Sequence, residues 1–388
     1  MASGKIQTGY IMKSIHETLH VAHITNVIDG RQNSGTARIA KELIMQLSKN
    51  TSVIQTFIHF DNGFDDIYLL PNTNEIKIPL RNFPIAKQFL SFMLYWVRNM
   101  FNSNISKFDV VHWHASRVFP FFFIIPSRKI VITLHDANNR IIKGSNTIWT
   151  HIFYWNLRMF KNKITYIIGD SLDACHKLVK IAKFPANKVK CVYLNSSFDN
   201  LKPIKPIGVL EGETFMTCVS RWQPFKNVTR LIEGYSLAKL TNPSIPKLIL
   251  VGKPVAGFTE PIEKINSLNL QNTVTVLSDL SDEELAYLYD NSILNIAPSL
   301  HEGFGLSVLE GIKRGCPSLD HIYTSTSEIS GNAGLHIDMN SAYEISQSLI
   351  RIFSDVVLLE DLRKNTVQRA KQFSWDNTTI QLLRLYES

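Results

Sequence analysis

From Leu19 to Tyr386, apolar runs of strand length alternate with stretches of helical periodicity. This alternation confines the chain to an α/β fold built on parallel sheets. Leu19–Thr25 reads as the first strand, Asp29–Ser34 as a polar loop and Gly35–Leu47 as an amphipathic helix. Asp109–Trp113, Ile130–Leu134 and Tyr166–Gly169 read as short buried strands, and Val189–Leu194 closes this first series. Leu201–Ile207 then carries Pro203 and Pro206 and runs into Gly208 and Gly212, the composition of a linker. A second alternating series starts at Thr214. The pattern predicts two doubly wound, Rossmann-like domains around a central cleft. The boundaries are a flexible tail at 1–17, a first domain at 18–200, a linker at 201–213, a second domain at 214–370 and a terminal helical segment at 371–388. Open α/β sheets bind ligands at the carboxyl ends of their strands, so the residues that follow each strand are the ones to weigh.

The bulk numbers narrow the class. A chain of 388 residues with 45% apolar residues is soluble, globular and long enough for two cores. Cys175, Cys191, Cys218 and Cys316 are scattered, with no CxxC pair, and read as reduced thiols in a reducing compartment. No apolar leader opens the sequence, and the run from Val118 to Pro126 is too short to span a bilayer. A cytoplasmic location is expected. The charge is lopsided: residues 1–200 carry 24 Lys and Arg against 12 Asp and Glu, whereas 201–388 carry 17 against 21. The first half should therefore face something anionic. No nucleic-acid-binding motif accompanies the charge, so an anionic membrane surface or a lipid diphosphate is favoured over nucleic acid. Lys87–Phe101 and Phe119–Ile125 are strongly apolar and aromatic. Each reads either as core packing or as a segment lying in a membrane interface.

The most informative stretch is Pro298–Glu310, PSLHEGFGLSVLE. It follows the apolar run Ser292–Ala297 and precedes a helix-like pattern that ends at Gly315-Cys-Pro317. A glycine-bearing turn thus joins a strand end to a helix start, where free backbone N–H groups and the helix dipole suit a phosphate. Glu302 and Glu310 flank that turn. A carboxylate repels phosphate, so the pair is better matched to hydroxyl groups on either side of it. The helical rise from Gly305 to Glu310 is roughly 7 to 8 Å, about the reach of a diphosphate. A sugar hydroxyl at one end, a diphosphate in the middle and a ribose hydroxyl at the other describe a nucleotide-sugar.

The string resembles the Glu-x7-Glu signature of retaining glycosyltransferases of family 4, which have the two-domain GT-B fold. The resemblance continues through Val274–Leu285, through Leu248–Gly252 and through Phe373-Ser-Trp375. It covers residues about 18 to 388 and is closest in the second half. It implies that Glu302 holds hydroxyls of the donor sugar and Glu310 the ribose. Gly303, Phe304, Gly305 and Leu306 are implied to bind the donor, the N–H groups of Gly305 and Leu306 facing the distal phosphate. Arg221 and Lys226, after the strand-like Phe215–Val219, fall where the family keeps its phosphate-binding cations. Such cations stabilise the charge gained by a departing nucleoside diphosphate, so neither a metal nor another cofactor is expected. There is no Asp-x-Asp triplet and no His/Cys ligand spacing; Asp279 to Asp282 reads as a loop and helix N-cap.

In the first half, His135 and Asp136 follow a strand end. The resemblance places His135 near the reacting face of the sugar and Asp136 on the acceptor side. His112 and His114 end the preceding strand; structural histidines are common, and a role beside the acceptor is the sharper alternative. Gly35 opens the first helix and matches a loop that closes over donor phosphates, with Arg38 one turn on as a cation toward phosphate or acceptor. The dinucleotide fingerprint GxGxxG is absent here, which counts against a dehydrogenase. Asn195-Ser196 and Ser34-Gly35 stand where the family often has Asn-Gly and Gly-Gly. The expected function is transfer of a sugar, with retained configuration, from a nucleotide-diphosphate sugar to a glycan or lipid-linked acceptor in surface polysaccharide or glycoconjugate synthesis. A nucleotide-sugar epimerase or hydrolase on the same fold and a catalytically silent GT-B binding protein are the alternatives.

Overall fold

The computed structural model describes residues 18–388 apart from 26–27, 29–34, 85, 101–106, 115–117, 136–147, 210 and 256. The expected tail at 1–17, the polar loop and Asp136 lie outside the described residues.

Seven strands make the first sheet: β1 (Leu19–Ile24), β2 (Val53–Phe60), β3 (Thr73–Ile78), β4 (Phe108–His114), β5 (Ser127–Thr133), β6 (Tyr166–Gly169) and β7 (Val189–Cys191). Their order is β3-β2-β1-β4-β5-β6-β7, all parallel. Six strands make the second: β8 (Phe215–Val219), β9 (Lys247–Val251), β10 (Val274–Leu277), β11 (Ser292–Ala297), β12 (Ser318–His321) and β13 (Gly334–Ile337). They run in the order β10-β9-β8-β11-β12-β13, again parallel. In each sheet the order reverses beside the first strand, the switch point at which a crevice opens.

Helices cover both faces, which is why the strands read as unbroken apolar runs. The first domain carries α1 (Gly35–Ser48), α2 (Lys87–Arg98), α3 (Ile148–Met159) and α4 (Leu172–Lys180). The second carries α5 (Val228–Thr241), α6 (Glu260–Ser267), α7 (Asp282–Asn291), α8 (Leu306–Lys313), α9 (Ser325–Ser330), α10 (Ala342–Ser354) and α11 (Val356–Ala370), and α12 (Trp375–Glu387) ends the chain. Alternate residues of β1 serve different layers. Val21 joins Leu43 of α1 and Leu382 of α12 in one core, while Ala22 and Ile24 join Phe92 and Trp96 of α2 in the other. α12 is therefore part of the first domain's packing. Tyr386 and Leu382 are buried there, each contributing roughly 1.5–3 kcal/mol of apolar burial. Tyr386 Oη lies 2.5 Å from His112 Nδ1, and Thr378 donates to the Tyr193 carbonyl at 2.7 Å.

Two local expectations change. The helix cap falls on Ser281 rather than on Asp279 or Asp282: Ser281 and Glu284 form a reciprocal capping box, and Asp282 is the first helical residue. The box satisfies two orphan N–H groups at once, which a single aspartate does not. The segment expected over Lys87–Phe101 is α2, ending at Arg98. It buries Ser91, Phe92 and Trp96 while Leu90, Leu94 and Val97 stay exposed, so one helix carries a core face and an open apolar face. Among the described residues, no helix is long and apolar enough to cross a membrane.

Candidate active site

The second domain's site begins at the end of β8. Gly252, after β9, has φ +150°, and a Cβ there would lie 1.9 Å from the Ser220 carbonyl oxygen. Only glycine lets the two strand ends close up beside the loop from Ser220 to Lys226. Two further ties fix that loop. Leu300 N donates to Phe225 O at 2.9 Å, and Asn227 Nδ2 donates to Pro298 O at 3.2 Å and Met339 O at 2.8 Å. Lys226 Nζ consequently meets Glu302 Oε1 at 2.5 Å, both side chains half-buried. Arg221 is exposed on the same loop.

Gly303, Phe304 and Gly305 then turn the chain into α8. Gly305 is its N-cap with φ +100° and no side-chain cap, so the first N–H groups of α8 point outward without a side chain to receive them. Phe304 is buried at an edge-to-face distance of 6.2 Å from Phe373. Glu310 lies near the middle of α8 and is buried. Burial pushes its carboxyl up to about 7, against the pull of the nearby Arg38 guanidinium.

The first domain meets this site directly. Gly35 opens α1, and a Cβ on it would sit 3.8 Å from Leu306 Cδ1, so the starts of α1 and α8 face each other. Arg38 spans the domains: it donates to Glu310 Oε1 at 2.9 Å and to Asp282 Oδ1 at 3.1 Å, and stacks 5.1 Å over Phe198. The buried Tyr289 hydroxyl donates to Glu310 Oε2 at 3.4 Å. His135 Nδ1 lies 2.5 Å from Asp170 Oδ2. Ser171 donates to the Gly303 carbonyl at 2.7 Å, and Glu328 of α9 accepts from the N–H groups of Leu172 and Asp173 at the start of α4.

His112 and His114 are brought together with His23, all buried. His23 Nδ1 is 2.8 Å from His114 Nε2, and His112 Nε2 is 2.7 Å from Thr133 Oγ1. Burial holds His23 at about 3 and the other two well below the usual imidazole range, so the cluster is uncharged. Among the described residues, these three are the group whose ligand atoms, within 4.8 Å of one another, could hold a metal ion. The hydrogen bonds to Thr133 and Tyr386 already use both ring nitrogens of His112.

The strand-end reasoning that reached His135 also reaches Asp170 and Ser171 after β6, but only the fold shows them turned to the same place. Asp282 and His23 stand in no site motif of the sequence, and Glu328 has no sequence signal at all. The partners of Glu328 across the cleft, Tyr193, Leu172 and Asp173, lie 135 to 156 positions away, and Arg38 lies 244 from Asp282.

Residues 202–373 match the family model described as Glycosyl transferases group 1. The chain is 27% identical over 220 residues to the O-antigen chain mannosyltransferase B of Escherichia coli, covering 54% of this chain and 57% of that protein. It is 29% identical over 233 residues to a D-inositol 3-phosphate glycosyltransferase of Rhodococcus opacus, covering 57% and 52%. The chain thus spans about half the length of these curated relatives. Among solved structures, a sucrose-phosphate synthase from Thermosynechococcus elongatus superposes with a TM-score of 0.75 at 16% identity, over 95% of this chain and 98% of that one. The Anabaena protein HepE, solved with UDP and glucose, superposes at 0.71 and 16% identity, over 94% and 98%. The fold is GT-B, and its second domain, over residues 202–373, is similar to the group 1 glycosyltransferases.

Proposed function

We propose that this protein transfers a sugar, with retained anomeric configuration and without a metal ion, from a nucleotide-diphosphate sugar to a glycan or lipid-linked acceptor of surface polysaccharide. The observation that carries this reading is the Lys226–Glu302 pair standing beside the uncapped start of α8, with Glu310 further along that helix. Glu302 holds donor-sugar hydroxyls and Glu310 holds the ribose. The N–H groups of Gly305 and Leu306 hold the distal phosphate, with Gly35 closing from the other side. Lys226 and Arg221 neutralise the charge that the departing diphosphate gains, the role a metal would otherwise fill. The acceptor hydroxyl attacks from the face the diphosphate leaves, and a diphosphate oxygen takes its proton. His135, steadied by Asp170, lies on the acceptor side with His114, and Arg38, paired with Glu310, joins the two sides; the adjoining Asp136 is assigned to the acceptor side from the sequence alone. The relatives' mannosyltransferase names and the UDP and glucose of HepE support the donor class and put mannosyl and glucosyl donors first on any panel. A thermal-shift panel of nucleotide-sugars, followed by turnover with and without lipid-linked glycan, tests the reading. A donor that raises the melting temperature by mass action and is consumed only with acceptor supports it. Turnover without any acceptor favours an epimerase or hydrolase.

A peripheral membrane contact on the cytoplasmic face completes the proposal. Leu90, Leu94 and Val97 of α2 and Ile152, Trp155 and Met159 of α3 are exposed, at helical spacings that form one stripe on each helix. Both helices pack on the same core, through Phe92 and Trp96 and through Tyr154 and Leu157. The exposed Phe121 lies between them in sequence and packs 5.7 Å from Phe160 at the end of α3. Lys161 and Lys163 follow at once, in the half with excess positive charge.

A further inference from the structure

Two of the four cysteines are neighbours, and nothing in the proposed transfer uses them. Gly169 of β6 pairs in register with Cys191 of β7. Register partners point to the same face of a sheet, on strands about 4.8 Å apart. Gly169 has no side chain, and the Sγ of Cys175, in the first turns of α4, fills the vacancy: a Cβ on Gly169 would fall 2.8 Å from it. The Cys175 thiol therefore sits where a side chain beside Cys191 would be, 3.9 Å from the Gly169 carbonyl to which it donates, so the two thiols are neighbours on one face of the sheet. The interaction of the two neighbouring thiols lowers that of Cys175 and raises that of Cys191, so Cys175 is the group that ionises first. Both residues are half-buried, open to a small reagent, whereas Cys218 and Cys316 are buried and pushed up to about 12 by that burial.

We propose that Cys175 and Cys191 form a reversible thiol–disulfide site that takes a hydroperoxide, with Cys175 as the attacking thiolate and Cys191 as the resolving thiol. Cys175 S⁻ attacks one oxygen of hydrogen peroxide, breaking the O–O bond and giving Cys175 sulfenic acid and hydroxide. Cys191 gives its proton to that hydroxide and, as thiolate, attacks the sulfenic sulfur. The S–S bond forms and hydroxide leaves, taking up the proton that Cys175 had released. Two thiols are oxidised and one peroxide is reduced to two waters. A dithiol reductant reverses the step. The site adjoins the cleft: Asp170, bonded to His135, and Ser171, bonded to Gly303, lie between Gly169 and Cys175.

The test treats the full chain with hydrogen peroxide, blocks free thiols under denaturing conditions and maps peptides without reduction. Thiol titration is expected to fall from four to two, with a Cys175–Cys191 linked peptide that disappears on dithiothreitol. In Cys191→Ser, a dimedone adduct is expected on Cys175. Four thiols remaining in the treated wild type, a linkage involving Cys218 or Cys316, or an intermolecular disulfide overturns the proposal. If Cys191→Ser does not fold, the wild-type map decides alone. The outcome is independent of whether the chain transfers a sugar.

Discussion

The two sides of the cleft are built in different ways. On the second domain the site is contiguous: Glu302, the turn at Gly303–Gly305 and Glu310 lie within nine residues, and the chain needs only Lys226 from the neighbouring strand end to complete a charged pair. On the first domain the site is assembled from afar. His135 relies on Asp170, 35 residues on, and His112 on Tyr386, 274 residues on. The second domain presents charge at the surface of the crevice. The first presents buried imidazoles held neutral by desolvation. A donor carrying a diphosphate needs the first kind of surface; an uncharged hydroxyl acceptor suits the second.

The contrast breaks most directly by removing one charge. Lys226→Ala is expected to lower transfer by about a hundredfold or more, the loss seen when one preorganised charge is removed from a developing anion. Steady-state turnover with donor and acceptor checks it, and undiminished turnover ends the assignment. Asp170→Asn should lower transfer about tenfold or more, on the scale of one charge-assisted hydrogen bond, while donor affinity from calorimetry stays within about twofold. Equal losses from both domains in donor binding would erase the distinction between them.

Glu310 sharpens the comparison through pH. Burial raises its carboxyl to about 7 in the folded chain, above the ordinary value of 4.5. The folded state therefore holds a proton that the unfolded state has lost between these values, so this group's contribution to stability falls as pH rises toward 7. Donor affinity should move the other way, weakening as pH falls through about 7, because ribose hydroxyls need the carboxylate. Arg38→Ala should shift that inflection upward, since Arg38 lowers the carboxyl's pKa, and Glu310→Gln should flatten it. Titration calorimetry with UDP and GDP from pH 6 to 8.5 reads all three.

The histidine cluster predicts a smaller, purely structural effect of opposite origin. His23, His112 and His114 are depressed below their unfolded value of 6.5. Their contribution is present above pH 6.5 and is lost progressively as pH falls, for His23 until about 3, at up to roughly 1.4 kcal/mol per pH unit per histidine. Denaturant midpoints between pH 7 and 4.5 should show a shallower slope in His114→Gln than in the wild type. The smallest effect concerns the membrane face: Trp155→Ser should reduce flotation with anionic vesicles a few-fold and leave transfer to a soluble acceptor analogue unchanged. Equal partitioning of wild type with neutral and anionic lipid discards the electrostatic part of that contact.

The parallel-sheet series, the strand before Pro298 and the turn into α8 were legible because each is local: a run of apolar residues, a glycine, a helical period. The capping box at Ser281 is local too, with Glu284 three residues on, but Asp279 and Asp282 beside it offer the same side-chain acceptor and mask it. Glu328 at the start of α4 was out of reach, since no local pattern marks a carboxylate that caps a helix of the other domain.

Sequence alone determined the two doubly wound layers, the order of the elements and the contiguous acidic pair astride a glycine turn, because periodicity and turn chemistry act over a few residues. Tertiary structure alone decided that Arg38 closes on Glu310, that Asp170 steadies His135 and that Cys175 fills the space of Gly169. Those contacts depend on how two sheets and their helices pack against each other, and packing joins residues that the order of the chain keeps apart.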